Sequence, residues 1–326
     1  MQGFVVNQVL NIQVERMNIF RMKNAIRSRM GMNKSHFSTG YPTSFPYLSG
    51  DGFRSLSEFA VDNAQSFARL HTMLESQVDP VRSSFDIYIA VSFLELEKNQ
   101  NLILELFNKY PKNFNGTSNL IIHNGDKIPG VNFLNAIREF FKYVYSVNIT
   151  EEWGNVRAIP IGLENLHFMK NGIVNFFRDY GFKKTIGNNM TKRNLLFSSF
   201  NVETNPRIRK DVRDKILNSR FSSTFKVVPK DLYKQLLSAS FFSISPPGNG
   251  PDCHRTWESI YLDVIPVVLE GSLAKSFVDN LPIHSVESYE DFLNLSDVEI
   301  MRLYQKLIMR KTDMAYLDYW HNLLKA

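Results

Sequence analysis

A loop of proline and glycine stands directly before several charged side chains in the second half of the sequence. PPGNG, residues 246–250, turns the chain, and His254, Arg255 and Glu258 follow shortly after it. Backbone N–H groups at a helix N-terminus are unpaired and carry partial positive charge, and glycines let an anion approach the backbone closely. A strand end, this loop and a following helix therefore predict a phosphate-binding site.

The residues after this loop are predicted to form a helix with two different faces. Proline is tolerated in the first helical turn, so we expect the helix to begin at Pro251 or Asp252. At about 3.6 residues per turn, His254, Arg255 and Glu258 share one side. The other side carries apolar or small residues, which are Cys253, Trp257, Ile260, Tyr261 and Val264. One face is expected to pack in the core, and the other to bind a ligand.

The polar face suits a nucleotide diphosphate. Arg255 can donate a forked pair of hydrogen bonds to phosphate, and Glu258 can accept hydrogen bonds from ribose hydroxyls. His254 can bind phosphate when protonated or donate to a sugar oxygen when neutral. The alternative is a weak surface ion pair between Arg255 and Glu258 beside a sharp turn. The predicted nucleotide site comprises Gly248, Asn249, Gly250, Asp252, His254, Arg255 and Glu258, together with Ser199, Asn201 and Arg207 from an earlier loop. Arg209, two residues after Arg207, is a further candidate for the diphosphate.

Length and composition indicate a folded protein of two domains. The chain has 326 residues, which exceeds the usual size of a single core, and it is 44% apolar and 21% charged. Its one cysteine excludes an internal disulfide and a zinc site built from cysteines, which predicts a reducing compartment. No apolar run reaches the roughly 18 residues of a membrane span, and no signal peptide is recognised. The predicted location is cytoplasmic.

The first 40 residues have their own charge pattern. Six basic side chains between Arg16 and Lys34 are interleaved with apolar residues, and only Glu15 opposes them. This pattern is typical of a basic amphipathic helix. Two interpretations stay open, namely a helix packed on its own domain or a peripheral contact with an anionic membrane surface.

Short apolar runs alternate with helical patterns along the rest of the chain. Such alternation predicts parallel sheets built from βαβ units, with ligands at the carboxyl ends of the strands. The predicted helices include 94–110 and 133–147. The predicted strands are 85–93, 119–126, 155–165, 194–200, 224–229, 241–246 and 264–269. The predicted divisions are a basic segment at 1–40, an acceptor-side domain at 41–185, a nucleotide-sugar domain at 186–300 and a closing helix at 301–326.

Residues 244–268, ISPPGNGPDCHRTWESIYLDVIPVV, resemble the nucleotide-sugar signature of exostosin-like glycosyltransferases. Fainter similarities lie in an expected loop at Gly50–Arg54, in an expected turn at His123–Asp126 and at Ile159–Glu164. Asp263 departs from the pattern, because relatives usually have glycine there. The resemblance implies the GT-B architecture, in which two Rossmann-like domains with parallel sheets face each other across a cleft. It also implies that the second domain holds most of the nucleotide, that the first holds the acceptor, and that transfer inverts the sugar.

An inverting transfer needs a general base for the acceptor hydroxyl. Asp126 is the first candidate because it follows a buried-looking strand at its carboxyl end, although an Asx turn would explain it equally well. Asp51 and His123 are the other candidates.

The sequence contains no Asp-x-Asp pair, no His-Glu-x-x-His and no Cys-x-x-Cys, so neither a metal ion nor another cofactor is expected.

These observations together predict an enzyme of polysaccharide or glycoconjugate assembly. It would move a sugar from a nucleotide-sugar donor, such as a UDP-sugar, to a hydroxyl group of a glycan or glycolipid, without binding nucleic acid. Two alternatives remain. One is a non-catalytic module that binds polyanions or nucleic acid, and the other is a phosphate-binding enzyme of another reaction type.

Overall fold

A computed structural model describes residues 44–76, 85–114, 116–168, 172–185, 192–222, 225 and 228–326. The predicted basic segment at 1–40 lies outside the described residues, as does most of the predicted boundary around residue 186. Residues Ser38–Ala326 belong to one compact unit. The domain limits expected from the sequence stay predictions.

The first half of this unit contains a sheet of five parallel strands that lie in chain order. Strands β2 and β3 are buried at every position, because a parallel sheet is covered on both faces. This burial explains why both strands read as continuous apolar runs. The strands are β1 (Phe59–Val61), β2 (Ile87–Ala90), β3 (Asn119–His123), β4 (Tyr143–Val147) and β5 (Val156–Ile159).

Helices connect these strands, and several of the expected elements were wrong in their type or limits. The predicted strands 119–126 and 155–165 end early, at His123 and Ile159. The predicted strand 85–93 ends at Ala90, where a helix begins. The predicted helix 133–147 ends early, because its second part, with its alternating aromatic and β-branched residues, forms β4. Residues 50–54, expected as a loop, form a short buried helix. The helices are α1 (Gly50–Arg54), α2 (Ala64–Ser76), α3 (Val91–Leu94), α4 (Glu97–Lys109) and α5 (Val131–Ile137).

The second half contains four parallel strands, also in chain order. They are β6 (Asn194–Phe197), β7 (Ser240–Ile244), β8 (Ile265–Leu269) and β9 (His284–Val286). Of the predicted strand 224–229, the structure shows a single bridge between Phe225 and Ser198, and residues 224, 226 and 227 lie outside the described part. The α/β class with two parallel sheets is confirmed. Strands β1 and β9 were not predicted, since each has only three residues.

Helices of the second half cover both faces of its sheet, whereas the last one packs on the first sheet, where Trp320 meets Tyr145 of β4. They are α6 (Asn175–Thr185), α7 (Pro206–Leu217), α8 (Lys230–Ser238), α9 (His254–Tyr261), α10 (Lys275–Asn280), α11 (Tyr289–Leu293), α12 (Asp297–Leu307) and α13 (Leu317–Lys325). Among the described residues, none of the helices combines the length and the apolar character that crossing a membrane requires.

The apolar face of α9 packs into the core of the first sheet, as its spacing predicted. Trp257 is fully buried and meets Phe277 edge-on, with ring centroids 5.6 Å apart. The Tyr261 hydroxyl accepts a hydrogen bond from the Leu48 amide at 3.1 Å and donates to the Ala315 carbonyl at 2.6 Å. One side of α9 is therefore fixed in the core, and His254, Arg255 and Glu258 on its polar side line a cleft.

The turn from α9 to β8 contains Asp263 in the left-handed conformation, with φ of 55°. Aspartate adopts this region more readily than most residues other than glycine. Its carboxylate also accepts a hydrogen bond from the Tyr180 hydroxyl at 3.3 Å. The tight turn is thus kept without the glycine that the resembling family usually has.

Candidate functional site

A cleft of about 460 Å³ lies over the polar face of α9. Its volume falls in the range of small-molecule sites. Its walls come from the carboxyl ends of strands in both sheets, where open parallel sheets generally bind ligands. The lining residues are Asp126, Ile161, Ser199, Phe200, Asn201, Thr204, Arg209, Val228, Tyr233, Gly248, Asn249, Gly250, Asp252, Cys253, His254, Arg255 and Glu258.

Helix α7 holds the PPGNG loop in place. Arg209 donates to the Pro247 carbonyl at 2.9 Å and to the Pro246 carbonyl at 3.2 Å. The Asn205 amide, at the start of the same helix, donates to the Gly248 carbonyl at 2.9 Å. A β-carbon added at Gly248 would stand 2.9 Å from Nη2 of Arg209, so glycine permits this approach. The loop carbonyls therefore turn toward α7.

Helix α9 begins at His254, not at Pro251 or Asp252 as expected from the sequence. The Asp252 carboxylate instead accepts hydrogen bonds from the backbone amides of Ile161 at 2.8 Å and Cys253 at 2.7 Å, and from the Trp257 indole at 2.9 Å. Burial raises its pKa to about 6, although these hydrogen bonds oppose the rise. Asp252 was predicted to bind nucleotide directly, but its bonds give it the role of tying α9 to the first half.

The first turn of α9 offers free backbone donors. The N-cap residue, Cys253, makes no side-chain capping bond. Within the described chain, no acceptor pairs with the backbone N–H groups of His254 and Arg255. Because the helix dipole adds partial positive charge at this end, these two amides suit an anion.

Arg255 begins a chain of hydrogen bonds along the cleft floor. Its Nε donates to the Tyr233 hydroxyl at 3.0 Å, and that hydroxyl donates to Oε2 of Glu258 at 3.0 Å. Its Nη1 is buried, and no described residue accepts a hydrogen bond from it. Burial alone would lower the pKa of Arg255. Its electrostatic interactions with Tyr233, Cys253 and Glu258 have the larger effect, so this pKa is raised. A charged donor thus remains available at the floor.

A second guanidinium, that of Arg209, lies beside the same floor. The two guanidinium carbons stand 5.8 Å (Arg209) and 5.9 Å (Arg255) from the ring centre of Phe200. Arg209 is buried, and burial together with the charge of Arg255 lowers its pKa. Within the described chain, its hydrogen bonds go to carbonyls and to the Cys253 thiol rather than to a carboxylate. Two close positive charges favour an anionic guest.

His254 makes a hydrogen bond through one of its two ring nitrogens. Nδ1 lies 2.7 Å from the Gly162 carbonyl, which can only accept, so Nδ1 carries the proton. No described residue makes a hydrogen bond to Nε2. Since His254 lines the cleft, it presents a nitrogen lone pair to whatever binds there.

Of the three candidate bases, Asp126 alone lines this cleft. It is exposed, and its Oδ2 accepts a hydrogen bond from the Asn249 amide at 2.9 Å. This bond connects the first half to the PPGNG loop. Asp126 can therefore reach a ligand that rests on the loop.

His123 and Asp51 lie away from the cleft in a buried polar cluster. His123 accepts from the Asn124 amide at Nδ1, 2.7 Å away, and donates from Nε2 to the Pro160 carbonyl at 2.9 Å. Burial lowers its pKa to about 4. The Asp51 carboxylate accepts from the Asn124 side chain at 3.3 Å, and its amide donates to Asn165 at 2.9 Å. Neither residue lines the cleft, although His123 lies close enough to His254 for an electrostatic interaction.

The remaining predicted residues divide in two groups. Ser199, Asn201, Gly248, Asn249 and Gly250 line the cleft, whereas Arg207 is exposed outside it. Of the two arginines considered there, Arg209 lines the cleft and Arg207 does not, and the sequence carried a signal for this difference. Arg209, Val212 and Ile216 share the buried side of α7 at helical spacing. Tyr233 had no such signal, because its partner Glu258 is distant in sequence.

Among the described residues, no group of three or more His, Cys, Asp or Glu side chains is arranged to hold a metal ion. Neither a scan against protein-family models nor a search of the curated proteins finds a match for this chain.

Proposed function

We propose that this protein is an exostosin-like glycosyltransferase of GT-B type. It would transfer a sugar from a nucleotide diphosphate to a hydroxyl group of a glycan or glycolipid, with inversion. The observation that carries the proposal is the unpaired, buried Nη1 of Arg255 at the start of α9. A buried charged donor without an acceptor is costly to the free protein, so its presence points to an anionic ligand.

The cleft offers a place for each part of such a donor. The diphosphate would rest on the free amides of His254 and Arg255 and accept a hydrogen bond from Nη1 of Arg255. Glu258 is held by Tyr233 through Oε2, and its Oε1 has no donor in the described part of the chain, so it can accept from a ribose hydroxyl. In this arrangement the transferred sugar would extend toward the first half.

Asp126 would take the proton of the acceptor hydroxyl as it attacks the sugar. It is a carboxylate of the first half that lines the cleft and accepts a hydrogen bond from Asn249 of the PPGNG loop. As the bond to the sugar breaks, negative charge develops on the diphosphate, and Arg255 with the helix amides stabilises it. These groups can do so without a metal ion.

Thermal unfolding with a panel of ligands tests this proposal. The panel contains UDP, GDP, ADP and CDP, their common sugar derivatives, inorganic pyrophosphate and heparin. A ligand at about 100 times its Kd stabilises the native state by about 2.7 kcal/mol, which raises the midpoint measurably. We expect one nucleotide diphosphate and its sugars to do this.

Two results of the panel would contradict the proposal. If heparin alone stabilised the protein, with an effect that vanished steeply with salt, the protein would be a polyanion-binding module. If pyrophosphate and all four nucleotides stabilised it equally, a phosphate-binding enzyme of another type would be favoured. For the stabilising nucleotide sugar, release of the nucleoside diphosphate on adding an acceptor measures transfer.

A further inference from the structure

While His254 is neutral, the nitrogen that it offers to the proposed diphosphate is a hydrogen-bond acceptor. Its Nδ1 proton is held by the Gly162 carbonyl at 2.7 Å, so Nε2 is an acceptor. A phosphate oxygen is also an acceptor, and two lone pairs repel each other. The ring cannot exchange the two roles, because Nδ1 without its proton would then face the lone pairs of a carbonyl.

We infer that the binding of a nucleotide diphosphate is coupled to the uptake of one proton by Nε2 of His254. This inference rests on the proposed function, because it assumes a diphosphate at the start of α9. In the bound state both ring nitrogens donate, Nδ1 to the Gly162 carbonyl and Nε2 to a phosphate oxygen. His254 then adds positive charge where the leaving diphosphate needs it.

The charged groups around His254 allow this assignment. The positive neighbours, Arg255 and Arg209, disfavour a further positive charge on His254. A bound dianion would instead favour it. His123 influences His254 electrostatically, but its own pKa of about 4 keeps it neutral near pH 7. Asp252 is the rival proton acceptor, with a pKa of about 6. The groups to be considered are His123 and Asp126 from the first half, Arg209 from α7, Tyr233 and Lys234 from α8, and Asp252, Cys253, Arg255 and Glu258 beside His254.

The direction of the pH dependence follows from linkage. A bound diphosphate favours the protonated ring of His254, so affinity is greatest at low pH, where the ring already carries both protons. Affinity falls as the pH rises and a proton must be taken up on binding, by at most about tenfold per pH unit. A sugar hydroxyl donating to Nε2 would instead favour neutral His254, and affinity would then rise with pH.

Calorimetric titration of the full chain with UDP-glucose tests the inference, or with another nucleotide sugar if the panel selects one. Both phosphates of such a ligand are esterified, so it lacks the phosphate pKa near about 6 that would itself bind protons. Titrations near pH 7.5 in buffers of different ionisation enthalpy give the number of protons taken up. We expect a positive number, up to one, and affinity that weakens between about pH 6 and pH 8.5.

Two variants identify the group that takes up the proton. His254→Gln keeps an amide that can donate but cannot titrate, so proton uptake should vanish while binding remains measurable. His71→Gln, which changes an exposed histidine of α2, should keep the uptake of the wild type. Absent uptake in the wild type, or unchanged uptake in His254→Gln, would overturn the inference. Failure of every nucleotide to bind would instead contradict the proposed function.

Discussion

Two polar clusters at the carboxyl ends of strands differ in how completely their hydrogen bonds are satisfied. In the first, the Asn124 cluster, the side chains of Asp51, His123, Asn124 and Asn165 pair with one another or with the backbone. In the second, the Arg255 cluster, some hydrogen-bonding atoms have no partner among the described residues. Its members are Tyr233, His254, Arg255 and Glu258.

This difference separates a structural role from a binding role. A buried polar network whose members satisfy one another stabilises the fold and gains nothing from a ligand. In the Arg255 cluster, Nη1 of Arg255 is buried without an acceptor, and Nε2 of His254 has no described partner. We therefore expect substitutions in the first cluster to change stability, and substitutions in the second to change ligand binding.

Asp126→Asn should have the largest effect, on the rate of transfer. The asparagine can still accept the hydrogen bond from Asn249 but cannot take a proton, so we expect the rate to fall about 10²- to 10⁴-fold. Donor affinity should stay within about twofold, because no charge contacting the diphosphate changes. Initial rates and calorimetric titration with the same donor measure both.

Asp51→Asn is the matched control for Asp126→Asn. Asp51 belongs to the Asn124 cluster and does not line the cleft, so its transfer rate should change little. If Asp126→Asn kept the wild-type rate while Asp51→Asn lost it, the base would lie in the Asn124 cluster.

Arg255→Met should have the next largest effect, on donor affinity. The side chain keeps its apolar stem and loses its charge, and hydrogen bonds to a charged group contribute about 1.5–3 kcal/mol each. We expect the Kd for the donor to rise on the order of a hundredfold. The free energy of unfolding without ligand should change by less than about 1 kcal/mol, because the variant also removes a buried donor that had no acceptor. Urea unfolding measures the stability, and calorimetric titration measures the affinity. If the variant lost stability but kept its affinity for the donor, the Arg255 cluster would have a structural role instead of a binding role.

Asn124→Gly should have the smallest effect, on stability alone. Asn124 has φ of 59°, a conformation that glycine adopts freely, so the variant removes the side chain without backbone strain. The amide of Asn165 and the carboxylate of Asp51 then lose a partner, and we expect a loss of about 1–3 kcal/mol in the free energy of unfolding. Donor affinity, measured well below the unfolding transition, should match the wild type. A large loss of affinity would make this cluster part of the ligand site.

The sequence predicted the α/β class and the strand, loop and helix that carry the Arg255 cluster. These features were accessible because they depend on short spacings. Helical periodicity separates Arg255 and Glu258 from Trp257 and Tyr261 within a few residues. The strand limits around Ala90 and β4 were less accessible, since a short apolar run fits a strand or a buried helix equally well.

The amino-acid sequence by itself determined that a glycine-rich loop and the start of a helix with a polar face follow β7, where we propose an anion site, because these features are all encoded within 20 consecutive residues, roughly the reach of local structure. Only the tertiary structure decided which distant residues join it. Arg209 rather than Arg207 reaches the loop, Tyr233 links Arg255 to Glu258, and Asp126 rather than Asp51 lines the cleft. Those choices depend on the order of strands and the packing of helices, which bring together side chains whose separation along the chain contains no periodic signal.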